Sequence, residues 1–165
     1  MKSIVITLIG TDRSGIVDEV SQCLMAHHGN WQASSMSLMA GQFAGIVEAR
    51  IPEEQLSAVR QSLGQLEGLT VQVVDGHAIE ATEALSIDFQ VTANDRPGII
   101  QQVSSCLAAN KVNVLELDTR CESAAHFGGD LFIAEVHAQL PAGLTEDDLK
   151  TALEALSDDL IIDTE

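Results

Sequence analysis

The chain has no tyrosine, four phenylalanines and one tryptophan, so aromatic residues make up 3% of its 165 positions. It is also short of positive charge: 8 lysines and arginines stand against 25 aspartates and glutamates, for a net charge of −17. Proteins that hold nucleic acid neutralise phosphates with clustered Lys and Arg, and those that take single strands add aromatic stacking platforms. Both are missing, which argues against direct nucleic-acid binding; a basic protein partner suits the charge better. No run of eighteen apolar residues exists, so no transmembrane helix is expected. The apolar stretch Ile4–Ile9 is too short for a signal peptide and is soon followed by charge. The three cysteines, Cys23, Cys106 and Cys121, form no C-x-x-C pair. That leaves no iron–sulfur or metal-chaperone site and fits a reducing cytoplasm.

Catalytic patterns are missing too. There is no G-x-S-x-G, no Walker loop and no Rossmann glycine fingerprint. The five histidines, His27, His28, His77, His126 and His137, have no partner at metal-ligand spacing. His27-His28 closes a helical stretch, where cationic side chains favour the dipole. Glu53-Glu54 and Asp147-Asp148 lie in first helical turns, where acidic residues serve the same purpose at the other end. No catalytic residue, metal ligand or cofactor is assigned, and the chain is not expected to be an enzyme.

What is present is a repeat. Thr11-Asp12-Arg13-Ser14-Gly15-Ile16 returns 83 positions later as Asn94-Asp95-Arg96-Pro97-Gly98-Ile99. The match runs without a gap through Trp31 and Val114, and ten of its 21 pairs are identical, Cys23/Cys106 and Asn30/Asn113 among them. A tandem repeat in a chain of this length implies two small domains, over residues 1–78 and 84–165. Each has a thin core and the linker Gly76–Ala84 is short, so the halves are expected to pack together with the loops at the seam. The charge divides unevenly, −5 over residues 1–82 and −12 over 83–165.

Each copy reads in the same order. Residues 3–10 form an apolar strand, and 85–93 alternate as its echo, which places Ile4, Ile6 and Leu8 on the core face and Val5 and Ile9 opposite. A helix follows over 14–28, with Ile16, Val20, Cys23 and Leu24 on one stripe and Gly29 as its stop; its echo covers 97–110. Cys23 and Cys106 fall on these stripes and read as small core hydrophobes. Strands at 30–39 and 43–51, a helix opened by Pro52 and a strand at 69–74 complete the first copy. Strands at 112–121, 131–140 and 160–163 and a helix at 145–157 complete the second. Thr145 and Asp148 form a capping pair. The second copy has a longer hairpin, Glu122–Leu131. The order β-α-β-β-α-β is the split pattern of the α+β ferredoxin-like fold, with antiparallel sheets. The RNA-recognition fold shares it, but the missing aromatics and the charge exclude that use.

The repeated loop joins a strand to a helix. A glycine there lets the backbone turn, and the first N–H groups of the helix are free to receive a carboxylate or phosphate. A purely structural reading has Gly for the turn, Asp or Asn as the cap and Ile in the core. It does not explain why Asp-Arg recurs in both copies, so ligand binding is favoured. Asn30 and Asn113 stand at equivalent entries to the second strand, able to cap a helix end or to bond polar groups of an amino acid.

A strand, Asp-Arg-x-Gly-Ile and a helix within a β-α-β-β-α-β unit resemble the ACT domain, the amino-acid-sensing module of metabolic regulators. Two such units with little else resemble the glycine cleavage system transcriptional repressor family. The resemblance covers nearly the whole chain. It implies a protein without a DNA-binding domain, which takes glycine as its signal and acts through a DNA-bound activator protein. It also implies a ligand site where the loop after strand one meets strand two of a neighbouring domain. That carries over onto Asp12, Gly15, Ile16 and Asn30, and onto Asp95, Gly98, Ile99 and Asn113. Ser14 stands where the usual proline would be and Pro97 keeps it, which leaves open whether one loop or both bind. Another amino acid, and a structural pair of domains with no ligand, are the alternatives. A homo-oligomer is left open.

Overall fold

The computed structural model describes residues 1–78, 84–124 and 128–164. Part of the expected linker, residues 79–83, and the middle of the longer hairpin, with Ala125, His126 and Phe127, lie outside the described residues. The chain divides into two units, Met1–Glu80 and Ala81–Glu165.

In the first unit, β1 (Lys2–Thr11) is rich in β-branched residues, which suit a pleated backbone. Its alternation turns Ile4, Ile6 and Leu8 inward, where they are almost wholly buried. The helix α1 (Ile16–Ala26) lays Ile16, Val20 and Leu24 on that inner face at helical spacing. A hairpin of β2 (Asn30–Met39) and β3 (Gln42–Ile51) adds Val47, Ala49 and Ile51. A short 3-10 turn, Glu53–Gln55, precedes α2 (Leu56–Gly64), whose Val59 and Leu63 close the core, and β4 (Leu69–Asp75) ends the unit. The sheet is antiparallel with order β2-β3-β1-β4. Burying one Leu or Ile side chain stabilises by about 1.5–3 kcal/mol, so these residues are the main source of cohesion in so small a unit.

The second unit repeats the plan with β5 (Ser86–Asn94), α3 (Ile99–Ala109), β6 (Asn113–Ala124), β7 (Gly129–Gln139), α4 (Glu146–Glu154) and β8 (Ile161–Thr164), in sheet order β6-β7-β5-β8. Both units are ferredoxin-like and the protein is α+β, as its periodicity indicates. Thr145 caps α4 reciprocally: the Asp148 N–H donates to Thr145 Oγ1 at 3.1 Å, and the Thr145 N–H donates to Asp148 Oδ2 at 3.2 Å.

The repeat extends to details that side chains do not announce. The ladders slip at Gln32 and at Leu115, a β-bulge at equivalent positions of β2 and β6. The helices α1 and α3 also end alike. The expected stop, Gly29, is not the residue in the left-handed conformation. His28 takes it, with φ 56°, and so does its counterpart Lys111, with φ 56°. The N–H groups of Gly29 and Val112 donate to Leu24 O and Leu107 O at 2.8 and 2.9 Å, the closing bond of a Schellman motif. His27 fixes the end of α1 to the second helix, its ring nitrogens lying 3.2 Å from Gln55 Oε1 and 2.9 Å from Ser62 Oγ.

Candidate ligand-binding site

The two repeated loops have one geometry. Gly15 stands at φ 93°, ψ −1° and Gly98 at φ 90°, ψ 2°, in the left-handed region that side chains adopt only with strain. Each is the N-cap of its helix, and its carbonyl accepts the first helical bond, from Glu19 N–H at 2.9 Å and from Gln102 N–H at 3.0 Å. Among the described residues no side chain caps either helix, so the expected capping role of Asp12 or Asn94 is not what the loop uses. Instead the backbone of the aspartate is tied to the neighbouring hairpin. The Asp12 N–H donates to Gly41 O at 2.9 Å and the Asp95 N–H to Asp130 O at 2.8 Å. Glycine at the cap thus leaves the first-turn N–H groups of α1 and α3 without a side-chain acceptor among the described residues, at the positive end of the helix dipole.

Ile16 and Ile99 are buried, at 3% and 2% exposure, and belong to the two cores. Their side chains hold the loop down, and only their N–H groups are suited to a ligand. Above the first loop lies a cavity of about 150 Å³ lined by Asp12, Arg13, Gly15, Ile16 and Phe43 among others. That is room for several waters or a small amino acid.

The arginine of the motif has a structural duty that sequence reasoning missed. Arg13 grips Glu19 with two nitrogens, at 2.5 and 2.7 Å, and donates to Glu67 O at 3.1 Å, so it braces the loop against its own helix and against the approach to β4. Arg96 reaches the equivalent residue, Gln102, at 2.9 Å. The signal was available, since residues 19 and 102 are also 83 apart, but Glu and Gln do not count as identical. The recurrence of Asp-Arg therefore has a bracing role in both copies, beside any ligand. The hydrogen bond and charge of Arg13 hold the Glu19 carboxyl below the ordinary glutamate range. A carboxylate with its folded pKa below the unfolded value, near 4.3, contributes stability fully above that value and loses it as pH falls through the folded one. Glu19→Gln, which copies the second unit, is expected to lower the first unit's stability at neutral pH slightly and to flatten the acid limb of its melting curve by the same small amount, because the pair is exposed. Thermal melts of both proteins from neutral pH down to about pH 3 check this; identical acid limbs contradict it.

Asn30 and Asn113 are placed elsewhere. Asn30 pairs with Arg50, which pairs with Ser3, at the end of the sheet where β1 begins. Asp12 follows β1 at its other end, nine residues on, or about 30 Å at strand spacing. Asn113 is related to Asp95 in the same way, through Gln139 and Ser86. The structure brings Asp12, Gly15 and Ile16 together, and likewise Asp95, Gly98 and Ile99, but neither asparagine reaches the loop of its own unit. The loops also differ in local charge: α1 has Asp18 and Glu19 in its first turn and α3 has no acidic residue there. The Cys121 thiol is pushed up by desolvation and by the Asp95 carboxylate beside it; where the second unit has Cys121, the first has Leu38.

Among the described residues no group of three or more His, Cys, Asp or Glu is arranged to hold a metal ion, and no helix is long and apolar enough to cross a membrane.

Residues 2–74 match the family model of the ACT domain. That match covers the first unit, and the second unit repeats its strand order and its loop. The chain is similar to the glycine cleavage system transcriptional repressor of Escherichia coli (strain K12), with 22% identity over 161 residues that cover 95% of this chain and 85% of that protein. The repressor of the same name in Shigella flexneri matches over the same shares at the same identity. In structure the chain is similar to a protein of unknown function from Galdieria sulphuraria, with a TM-score of 0.88, 26% identity and coverage of 99% and 97% of the two chains. It shares its fold with a putative glycine cleavage system transcriptional repressor at a TM-score of 0.70 and 19% identity, over 99% and 96% of the chains. Both curated relatives bear the name of a transcriptional repressor.

Proposed function

We propose that this ACT-domain regulator binds a small amino acid, glycine first among the candidates, and represses transcription of the glycine cleavage system indirectly, in the cytoplasm, through a DNA-bound protein partner. The observation that carries the reading is the duplicated loop: a left-handed glycine cap, uncapped first-turn N–H groups and, in the first unit, a small cavity above them. A carboxylate placed there accepts N–H groups at the positive end of a helix. The name of the Escherichia coli relative supports glycine cleavage as the regulated system. Calorimetric titration of the full chain with glycine and a panel of other amino acids tests the ligand. Saturable heat with glycine supports the reading, heat with another amino acid alone replaces the ligand, and no heat with any leaves a structural pair of domains.

The net charge of −17 supports the indirect route. The purified protein is expected to leave duplex DNA unshifted in a gel at physiological salt, because clustered cations that could neutralise phosphates are missing. Tight, salt-sensitive retardation by the protein alone contradicts that part of the reading.

A further inference from the structure

The two units share a fold but not an outer surface. On the sheet face turned away from the helices, the first unit presents Val5 and Thr7 of β1, Ile46 of β3, Ser35 of β2 and Gln72 of β4. Ladder position by ladder position, the second unit has Asp88, Gln90, Glu135, Asp118 and Asp163. One face is therefore acidic and lines a cavity of about 390 Å³ with carboxylates. The other is nearly neutral: its charged pair, Glu48 and Arg50, stands at one end and is of opposite sign. The neutral face exposes Ile9, Ile46 and Val74, each between 44% and 48% accessible, around a groove of about 570 Å³.

Since the acidic counterpart belongs to the same fold, the fold does not require the neutral face to be neutral. β-branched residues held out on a flat sheet gain free energy when covered. In a chain of net charge −17 two copies repel over most of their surface, and this face is a place where they can meet without stacking carboxylates on carboxylates. It is also self-complementary in character, since apolar and hydroxyl side chains pair with their own kind across a two-fold axis. Four strands of seven to ten residues give a face of about 500 Å². Two such faces together reach the roughly 1,000 Å² that a biological interface needs. We propose that the outer face of the first sheet docks on the same face of a second copy of this chain, sheet against sheet.

The duplicated fold supplies the test. Ile46→Glu and Ser35→Asp each copy the acidic unit's residue onto an exposed site, so neither endangers the core. The full chain, followed by light scattering across a dilution series, is expected at twice its 17.6 kDa mass. Either variant should raise the dimer dissociation constant roughly thirtyfold or more, the loss of an interface hot spot. Circular dichroism checks that the variants are folded. A control, Glu135→Gln in the acidic unit, should leave the dissociation constant unchanged. A monomeric parent, a dimer that ignores both variants, or one weakened by the control overturns the proposal, and the face then serves another occupant or none.

Discussion

Replacing Gly10 with alanine is expected to destabilise the first unit by about 3 kcal/mol, at the upper end for overpacking, and to lower its melting temperature by about 10 °C or more. A Cβ on Gly10 would stand 2.7 Å from Leu69 Cδ2 and closer still to the Gly68 carbonyl oxygen, which is backbone and cannot swing aside. The β1–β4 ladder reaches Gly10 through its pairing with Leu69. In the second unit the equivalent residue is Ala93, and the β5–β8 ladder ends one step earlier, at Thr92 and Ile161. The mirror substitution, Ala93→Gly, should therefore cost much less, about 1 kcal/mol from chain entropy and a lost methyl group. Calorimetric melts of the two variants decide it; a Gly10→Ala protein that melts with the parent contradicts the close approach.

Removing the left-handed glycines from the loops is expected to abolish most amino-acid affinity while leaving the protein folded. A Cβ on Gly15 meets nothing closer than Glu19 Oε1 at 4.0 Å, and one on Gly98 meets nothing within 4 Å. Crowding is therefore not the cause of damage. The φ values near +90° are, since an L-residue there costs about 1–2 kcal/mol, and the loop relaxes to relieve that strain. Relaxation turns the first-turn N–H groups off the carboxylate. Losing one hydrogen bond to a charged group forfeits about 1.5–3 kcal/mol, or roughly tenfold to 150-fold in affinity. The double variant Gly15→Ala with Gly98→Ala should thus bind at least about tenfold more weakly than the parent, and the single variants assign that loss to one loop or both. Unchanged affinity in the double variant removes these loops from the site.

The architecture was legible because two signals agree. Alternation in Leu85–Thr92 and a helical stripe at Ile16, Val20 and Leu24 each set a period, and the offset of 83 carries either reading from one copy to the other. What escaped lies in the backbone or between distant residues. The left-handed His28 and Lys111 escaped because neither is the glycine that usually marks that conformation, and the glycine beside His28 drew the reading instead. The bulges at Gln32 and Leu115 shift a ladder without changing the apolar pattern. Asn30 and Asn113 share a face of their strands with much else, and only the register reveals that each stands at the far end from its own loop. Arg13 and Glu19 needed the structure because their partnership bridges a loop and a helix, outside the i, i+4 spacing that a helix surface offers.

The most direct test of the central claim is a titration of the isotope-labelled full chain with glycine, followed residue by residue through its backbone amide resonances. The account predicts saturable shifts concentrated on the amides of residues 15–18, of residues 98–101 or of both, and their loss in the corresponding Gly→Ala variant. Saturable shifts centred elsewhere, or no shift at any loop amide with glycine or with another amino acid that binds by calorimetry, would contradict it.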